Sequence, residues 1–386
     1  MIARIRELLS LALHVLCAQL TGFSPRCRNR VVFCNYNGRG YGDNLAPIAD
    51  EILRRGHSWD LVWLVKDEAV ALPRTIRKVK RSWFREKACL SSARVVISNT
   101  KGSLVYRKRA GSVYIQTWHG GDVPTKFSEG GCGPDLSRYY VMMSKRDSKI
   151  TDYVLSGSER LTEIFRTMFW YPPTCRVLEW GTPRKDLYFR KTDSDRAVAK
   201  ERIFGRSDVR VALYAPTFRE YISNECCKFD TVAFRRALES KFGGEWVVVI
   251  RLHPNVANLA GLFAYDEKTV NGTRMEDGQE LCFVSDLLVT DYSSIMEDFV
   301  VQRKPVLLFT PDIDDYLLHE RKLHDFYLKL PFLRCRTEQE LIAAIDGLDV
   351  AGYSKLMAAF ADHDCKMFDD GHASERVVDL IEKLMV

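Results

Sequence analysis

An α/β fold of two Rossmann-type, doubly wound domains facing a central cleft is what the sequence predicts. Three observations lead there. Short apolar runs alternate with helical patterns in both halves, polar residues cluster directly after the runs, and 386 residues correspond to about two domains at roughly 150 residues each. In the first half Val31 to Tyr36 is apolar, Asp43 to Arg55 has helical spacing, and Leu61 to Val65, Arg94 to Ser98 and Val113 to Trp118 read as strands. Strands separated by helices imply a parallel sheet covered on its faces. The second half repeats the pattern with strands at Val209 to Tyr214, Trp246 to Leu252, Asp286 to Thr290 and Pro305 to Phe309, and helices at Thr231 to Lys241 and Ser293 to Val301. Thr337 to Ile345, Tyr353 to Ala361 and Ala373 to Met385 are helical by their apolar spacing. Gly181 to Asp193 carries glycine, proline and mixed charge and predicts the boundary. The expected units are an N-terminal segment over 1–25, an N-terminal Rossmann-like domain over 26–182 and a C-terminal Rossmann-like domain over 183–386.

Composition narrows the function. At 46% hydrophobic and 28% charged residues the chain can bury substantial cores, which excludes disorder. A net charge of +6 is too mild and dispersed for a nucleic-acid binder but suits an anionic substrate or membrane surface. The eleven cysteines show no zinc-like spacing and read as reduced thiols of an intracellular protein. No metal and no cofactor is expected. At the N-terminus Arg4 and Arg6 precede an apolar stretch from Leu8 to Leu20, interrupted by Ser10, His14 and Gln19. It is too short for a membrane span and lacks a small-residue cleavage site near Thr21 to Pro25. It reads as an interfacial helix, or as one packed on the protein itself. The first reading implies peripheral attachment at the cytoplasmic face of the cell membrane.

Ligands of open parallel sheets bind beyond the carboxyl ends of the strands. There the chain places His119-Gly120-Gly121-Asp122, Pro216-Thr217-Phe218-Arg219, His253-Pro254 and Asp291-Tyr292-Ser293-Ser294. His119, followed by two glycines that allow close approach, suits a general base or a loop-capping histidine. His253 suits donation to a phosphate, with Arg251 on the same face of its strand. Ser293 and Ser294 suit capping of the following helix, phosphate binding at its N-terminus, or both. Asp298, one turn on, is either a ribose acceptor or a surface acid. The run Gly38-Arg39-Gly40-Tyr41-Gly42 lacks dinucleotide-loop spacing and reads equally as a loop over the cleft that admits an acceptor.

Six runs, in order, carry a family resemblance: Gln116-Thr117-Trp118-His119-Gly120, Tyr153-Val154-Leu155-Ser156-Gly157-Ser158, Leu213-Tyr214-Ala215-Pro216-Thr217-Phe218-Arg219, Arg251-Leu252-His253-Pro254, Thr290-Asp291-Tyr292-Ser293-Ser294-Ile295-Met296 and Asp370-Gly371-His372-Ala373-Ser374-Glu375-Arg376. Together they resemble the CDP-glycerol glycerophosphotransferase family of teichoic acid primases and polymerases, over roughly Thr117 to Val378. The resemblance implies a GT-B-like fold and transfer of a polyol phosphate from CDP-glycerol, or another CDP-polyol, to a hydroxyl of a lipid-linked saccharide or growing polymer, releasing CMP. It implies His119 as base and His253 on the donor pyrophosphate. It also implies Ser293 and Ser294 on the phosphates, Asp298 on the ribose, and Thr217 and Arg219 lining the donor pocket.

Two departures stand out. The family commonly continues after Trp-His-Gly with Thr-Pro and a basic residue, whereas this chain has Gly121-Asp122-Val123-Pro124-Thr125-Lys126; and Met296-Glu297-Asp298 stands where an aromatic often precedes the aspartate. The first concerns acceptor or polyol identity more than donor class. Two other functions compete: a glycosyltransferase of the same fold using a UDP- or GDP-sugar, and a catalytically silent binding module in envelope assembly.

Overall fold

Alternation of side chains along a strand gives each strand two faces, and here both faces are apolar, so each sheet is covered on both sides. A computed structural model describes residues 13–121, 137–217, 219, 223–252, 261–273, 275, 277–320, 323 and 325–386. The first sheet contains β1 (Cys27–Cys34), β2 (Asp60–Val65), β3 (Arg77–Lys80), β4 (Ala93–Ser98), β5 (Val113–Gln116), β6 (Tyr153–Ser156) and β7 (Arg176–Glu179). Its order is β3-β2-β1-β4-β5-β6-β7, with every pair parallel. The second contains β8 (Arg210–Ala215), β9 (Trp246–Ile250), β10 (Thr269–Asn271), β11 (Leu287–Thr290), β12 (Val306–Phe309) and β13 (Leu333–Cys335). Its order, β10-β9-β8-β11-β12-β13, is again fully parallel. Both sheets reverse direction of winding between their first and fourth strands, so each has a switch-point crevice, at β1/β4 and at β8/β11.

In the first sheet Val31, Phe33, Trp63, Val95 and Ile97 face one way, onto the helices Leu45–Arg54 and Ala373–Met385. Val32, Cys34, Val62, Leu64 and Val96 face the other, onto Cys89 and Leu90 of the helix Arg85–Ser92. β1, β2, β4, β5, β8, β9, β11 and β12 fall where their patterns predict, as do the helices Leu45–Arg54, Thr231–Phe242 and Ala373–Met385, whereas β6 and the helices Arg138–Ile150, Glu159–Met168 and Asp193–Phe204 have no predicted counterpart. β3, β7, β10 and β13 carried no strand signal, being short and, in β3 (Arg77-Lys78-Val79-Lys80), mostly charged edge strands.

One assignment is corrected. The C-terminal helices were all expected with the second domain, yet Val377, Val378 and Ile381 of Ala373–Met385 are fully buried in the first domain's core. The chain therefore crosses between sheets twice, once through Pro183–Lys185 and again through 366–372, where Ser158 and Met367 form an antiparallel bridge.

Candidate functional site

Each switch point is lined by the residues that end its strands. At the first, β1 ends into Asn35 and Tyr36, β4 into Asn99, and β5 into Thr117-Trp118-His119. Asn99 ties them together: its Nδ2 donates to Asn35 Oδ1 at 2.8 Å and to Asp43 Oδ1 at 3.1 Å, and its backbone carbonyl is 2.6 Å from His119 Nδ1. A carbonyl only accepts, so Nδ1 carries the proton and the lone pair lies on Nε2. His119 is half-buried, and it follows Trp118, whose φ of 57° is left-handed backbone that a non-glycine residue seldom adopts. Asn44 Nδ2 donates to the Trp118 carbonyl at 3.0 Å, and Arg184 Nη1 to the His119 carbonyl at 2.9 Å, holding that strained turn in place.

At the second switch point Asp291 is the organiser. Its carboxylate accepts from the Thr217 N–H at 2.9 Å, the Tyr292 N–H at 2.5 Å and Arg219 Nη1 at 2.7 Å. Thr217 Oγ1 is buried and makes no hydrogen bond with the described residues, beside a small cleft lined by Pro216, Asn224, Cys227, Leu252 and Phe263. Arg251 donates to the carbonyls of Gly272 at 3.0 Å and Met275 at 2.6 Å. Among the described residues it has no ion pair; burial lowers the guanidinium below its ordinary value, and the charges of Cys282, Asp277 and Tyr36 offset that only in part. A cation so placed favours an anion. Ser293 Oγ accepts weakly from the Ile295 N–H at 3.3 Å, and the helix that follows, Met296–Val301, starts at Ile295 without a side-chain cap. Capping by Ser294 is therefore not its role.

Two predicted donor-site residues sit elsewhere than expected. Arg219, 2% exposed, is consumed by a bidentate pair with Asp312 at 2.6 and 3.1 Å, by Asp291, and by the rings of Tyr292 and Tyr316 at 4.8 and 5.1 Å. It braces the loops of the pocket from behind rather than lining it. Asp298, also 2% exposed, accepts from Tyr188 OH at 2.9 Å and lies 3.8 Å from Arg184 Nη2. Because these partners come from the crossover segment, the acid belongs to the junction between domains, not to an open ribose site. His253 lies outside the described residues, as do residues 122–126 of the altered loop.

Sequence reasoning missed the junction itself. Arg184 is 4% exposed and bonds Asp43 Oδ2 at 3.1 Å; burial works against its charge, but Asp298 and Asp43 hold it well above the ordinary value. Lys185 pairs with Asp369 at 3.3 Å and Glu297 at 3.9 Å. A Cβ on Gly121 would fall 2.1 Å from the Glu297 carboxylate, so the two departures from the family pattern meet in space: glycine makes room for the acid. The Asp370 to Arg376 run is also structural in placement. Arg376 Nη1 donates to Asp370 at 2.8 Å and to the Trp180 carbonyl at 3.1 Å, closing the second crossover.

Comparison with known proteins accords with this geometry. A family described as CDP-glycerol:poly(glycerophosphate) glycerophosphotransferase matches residues 17–383. The chain is 29% identical to a teichoic acid poly(glycerol phosphate) polymerase of Staphylococcus epidermidis, aligning over 92% of itself and spanning 50% of that protein. It is 27% identical to the corresponding polymerase of Bacillus spizizenii, over 94% of both chains. Among solved structures, a variant of the wall teichoic acid polymerase TagF soaked with CDPG superposes with a TM-score of 0.83 at 27% identity, over 99% of this chain and 97% of that one. Two parallel Rossmann-type sheets, a histidine at the edge of one switch point and a family match over nearly the whole chain converge: the protein belongs to the CDP-glycerol:poly(glycerophosphate) glycerophosphotransferase family.

Proposed function

We propose that the chain transfers glycerol phosphate from CDP-glycerol to a hydroxyl of a lipid-linked saccharide or polymer in teichoic-acid-type synthesis, releasing CMP. The observation that carries this reading is the 2.6 Å contact of His119 Nδ1 with the Asn99 carbonyl, which makes Nε2 the proton-accepting nitrogen of the ring. A hydroxyl is a poor nucleophile until its proton is accepted. His119 Nε2 takes that proton as the acceptor oxygen bonds to the β-phosphorus, while the bond from phosphorus to the CMP oxygen breaks. Charge then accumulates on the phosphates, where Arg251, Ser293, Ser294 and Thr217 Oγ1 are the donors we assign; positioning and charge neutralisation supply most of the rate in phosphoryl transfer. His253 is proposed as a further phosphate donor on the strength of its motif. Arg219 and Asp298 act through other residues, as positioning groups.

The acceptor side is proposed to work at an anionic membrane surface. In the helix over 13–21, Cys17, Ala18 and Thr21 are buried against the protein while Leu13, Leu16 and Leu20 are about half exposed, beside exposed Phe23, Trp83 and Phe84. The exposed leucines support the interfacial reading and the buried side chains the packed one, and residues 1–12 of the segment lie outside the described residues. No helix among the described residues is long and apolar enough to cross a membrane.

The deciding assay supplies CDP-glycerol, CDP-ribitol, UDP-sugars and GDP-sugars with lipid acceptor and identifies the nucleotide released. CMP from a CDP-polyol is expected, falling about 10²- to 10⁴-fold in kcat in His119→Gln with little change in donor KM. UDP or GDP release would make the enzyme a glycosyltransferase, and undiminished turnover in His119→Gln would remove the histidine from the mechanism.

A further inference from the structure

The loop after β1 brings an aromatic ring against His119 at a backbone cost. Tyr36 and Asn37 hold left-handed backbone at φ 40° and 59°, and Asp43 does so at 51°. With Trp118 they make four of the seven non-glycine residues of positive φ among those described, so strain gathers around His119. Tyr36 is tethered at both ends. Its N–H donates to Asn99 Oδ1 at 2.7 Å and its hydroxyl to Asp43 Oδ2 at 2.8 Å. Between the tethers the residue remains 38% exposed, and its ring stands at 67° to the His119 imidazole with centroids 5.5 Å apart. Asn99 holds Tyr36 through its side chain and His119 through its carbonyl, so one residue sets the spacing of ring and base.

We propose that Tyr36 is the acceptor platform: its exposed face takes the C–H face of the polyhydroxylated unit whose hydroxyl is deprotonated by His119. The face of an aromatic ring is apolar and carries the negative lobe of its quadrupole, which matches the weakly positive C–H bonds of a sugar or polyol. Stacked there, the unit keeps its hydroxyls at the rim, where the imidazole edge meets them. A ring already fixed at both ends loses little freedom on binding. The assignment rests on the functional reading above, and two sources of such a unit exist, a terminal sugar and a terminal polyol phosphate.

The test measures transfer from CDP-glycerol to two lipid-linked acceptors, one ending in a sugar and one in glycerol phosphate, with the wild type, Tyr36→Phe and Tyr36→Ala. Tyr36→Ala is expected to raise acceptor KM about tenfold or more with donor KM within about twofold, while Tyr36→Phe stays within about threefold on both; the acceptor more affected identifies the unit. Tyr36→Leu refills the volume without a π face and is expected to follow Tyr36→Ala, which covers a folding failure of the smaller variant. Equal losses in Tyr36→Phe and Tyr36→Ala, a change in donor KM alone, or unchanged acceptor KM in Tyr36→Ala and Tyr36→Leu would overturn the platform. If the wild type releases no CMP from any CDP-polyol, the functional reading fails separately. Calorimetric titration of the same acceptors without donor then decides the platform: tenfold weaker binding by the variants supports it, and equal or undetectable binding by all proteins overturns it.

Discussion

At the scale of single residues, the site separates groups that face the cleft from groups that hold others in place. His119 and Arg251 were readable because each lies just beyond a buried strand, Arg251 directly after β9 and His119 after the Thr117-Trp118 turn that follows β5, and a parallel sheet delivers such residues to its carboxyl edge whatever the rest of the chain does. For Arg219 and Asp298 the sequence does not separate a ligand contact from a distant counter-charge, because a charged residue in a motif looks the same in either case. Their partners are Asp312, 93 residues away, and Tyr188, 110 residues away. The consequence is measurable. Arg219→Ala leaves Asp291 and Asp312 buried without their cation, and is expected to destabilise the second domain by about 3–5 kcal/mol, visible as a lower denaturant midpoint. A change confined to donor KM at unaltered stability would return Arg219 to the pocket lining.

Among the elements, amphipathic helices and central strands follow local patterning, whereas their ends depend on the fold. The helix Ala373–Met385 has His372 at its N-cap with no side-chain cap of its own. Asp186, from the first crossover, supplies one: its carboxylate accepts from the Ala373 N–H at 3.0 Å and the Ser374 N–H at 2.8 Å, and from the Ser374 hydroxyl. A negative charge there also complements the helix dipole. Asp186→Ala is therefore expected to cost about 1–2 kcal/mol, with Tm falling about 2–4 °C for each kcal/mol in a thermal melt. Unchanged Tm would show that water or a neighbour caps the helix equally well. No periodicity analysis reveals such a cap, since donor and acceptor are separated by an entire domain.

For the whole molecule, the double crossover and the exposed apolar rim have different consequences. The double crossover makes the two domains interdependent, and we propose a division in which the helix Ala373–Met385 counts with residues 26–182. The rim is legible in part: the spacing of Leu13, Leu16 and Leu20 marks one helix face, but Phe23, Trp83 and Phe84 join it only through tertiary structure. Leu16→Glu with Leu20→Glu is expected to abolish sedimentation with anionic phospholipid vesicles while leaving thermal stability close to wild type, because both side chains face solvent. Retained sedimentation would assign membrane contact to another surface.

By itself the sequence determined the fold class, the parallel character of the sheets and the family motifs, because these depend on residue type and short-range spacing. Only the tertiary structure decided which charges are spent on one another, that Gly121 yields its space to Glu297, that the last helix belongs to the first sheet, and that Tyr36 shares Asn99 with His119. The physical reason is common to all four. Burial makes a charge or a ring costly until a partner is found, and the partner is chosen by proximity in the folded chain, which spacing along the sequence does not encode.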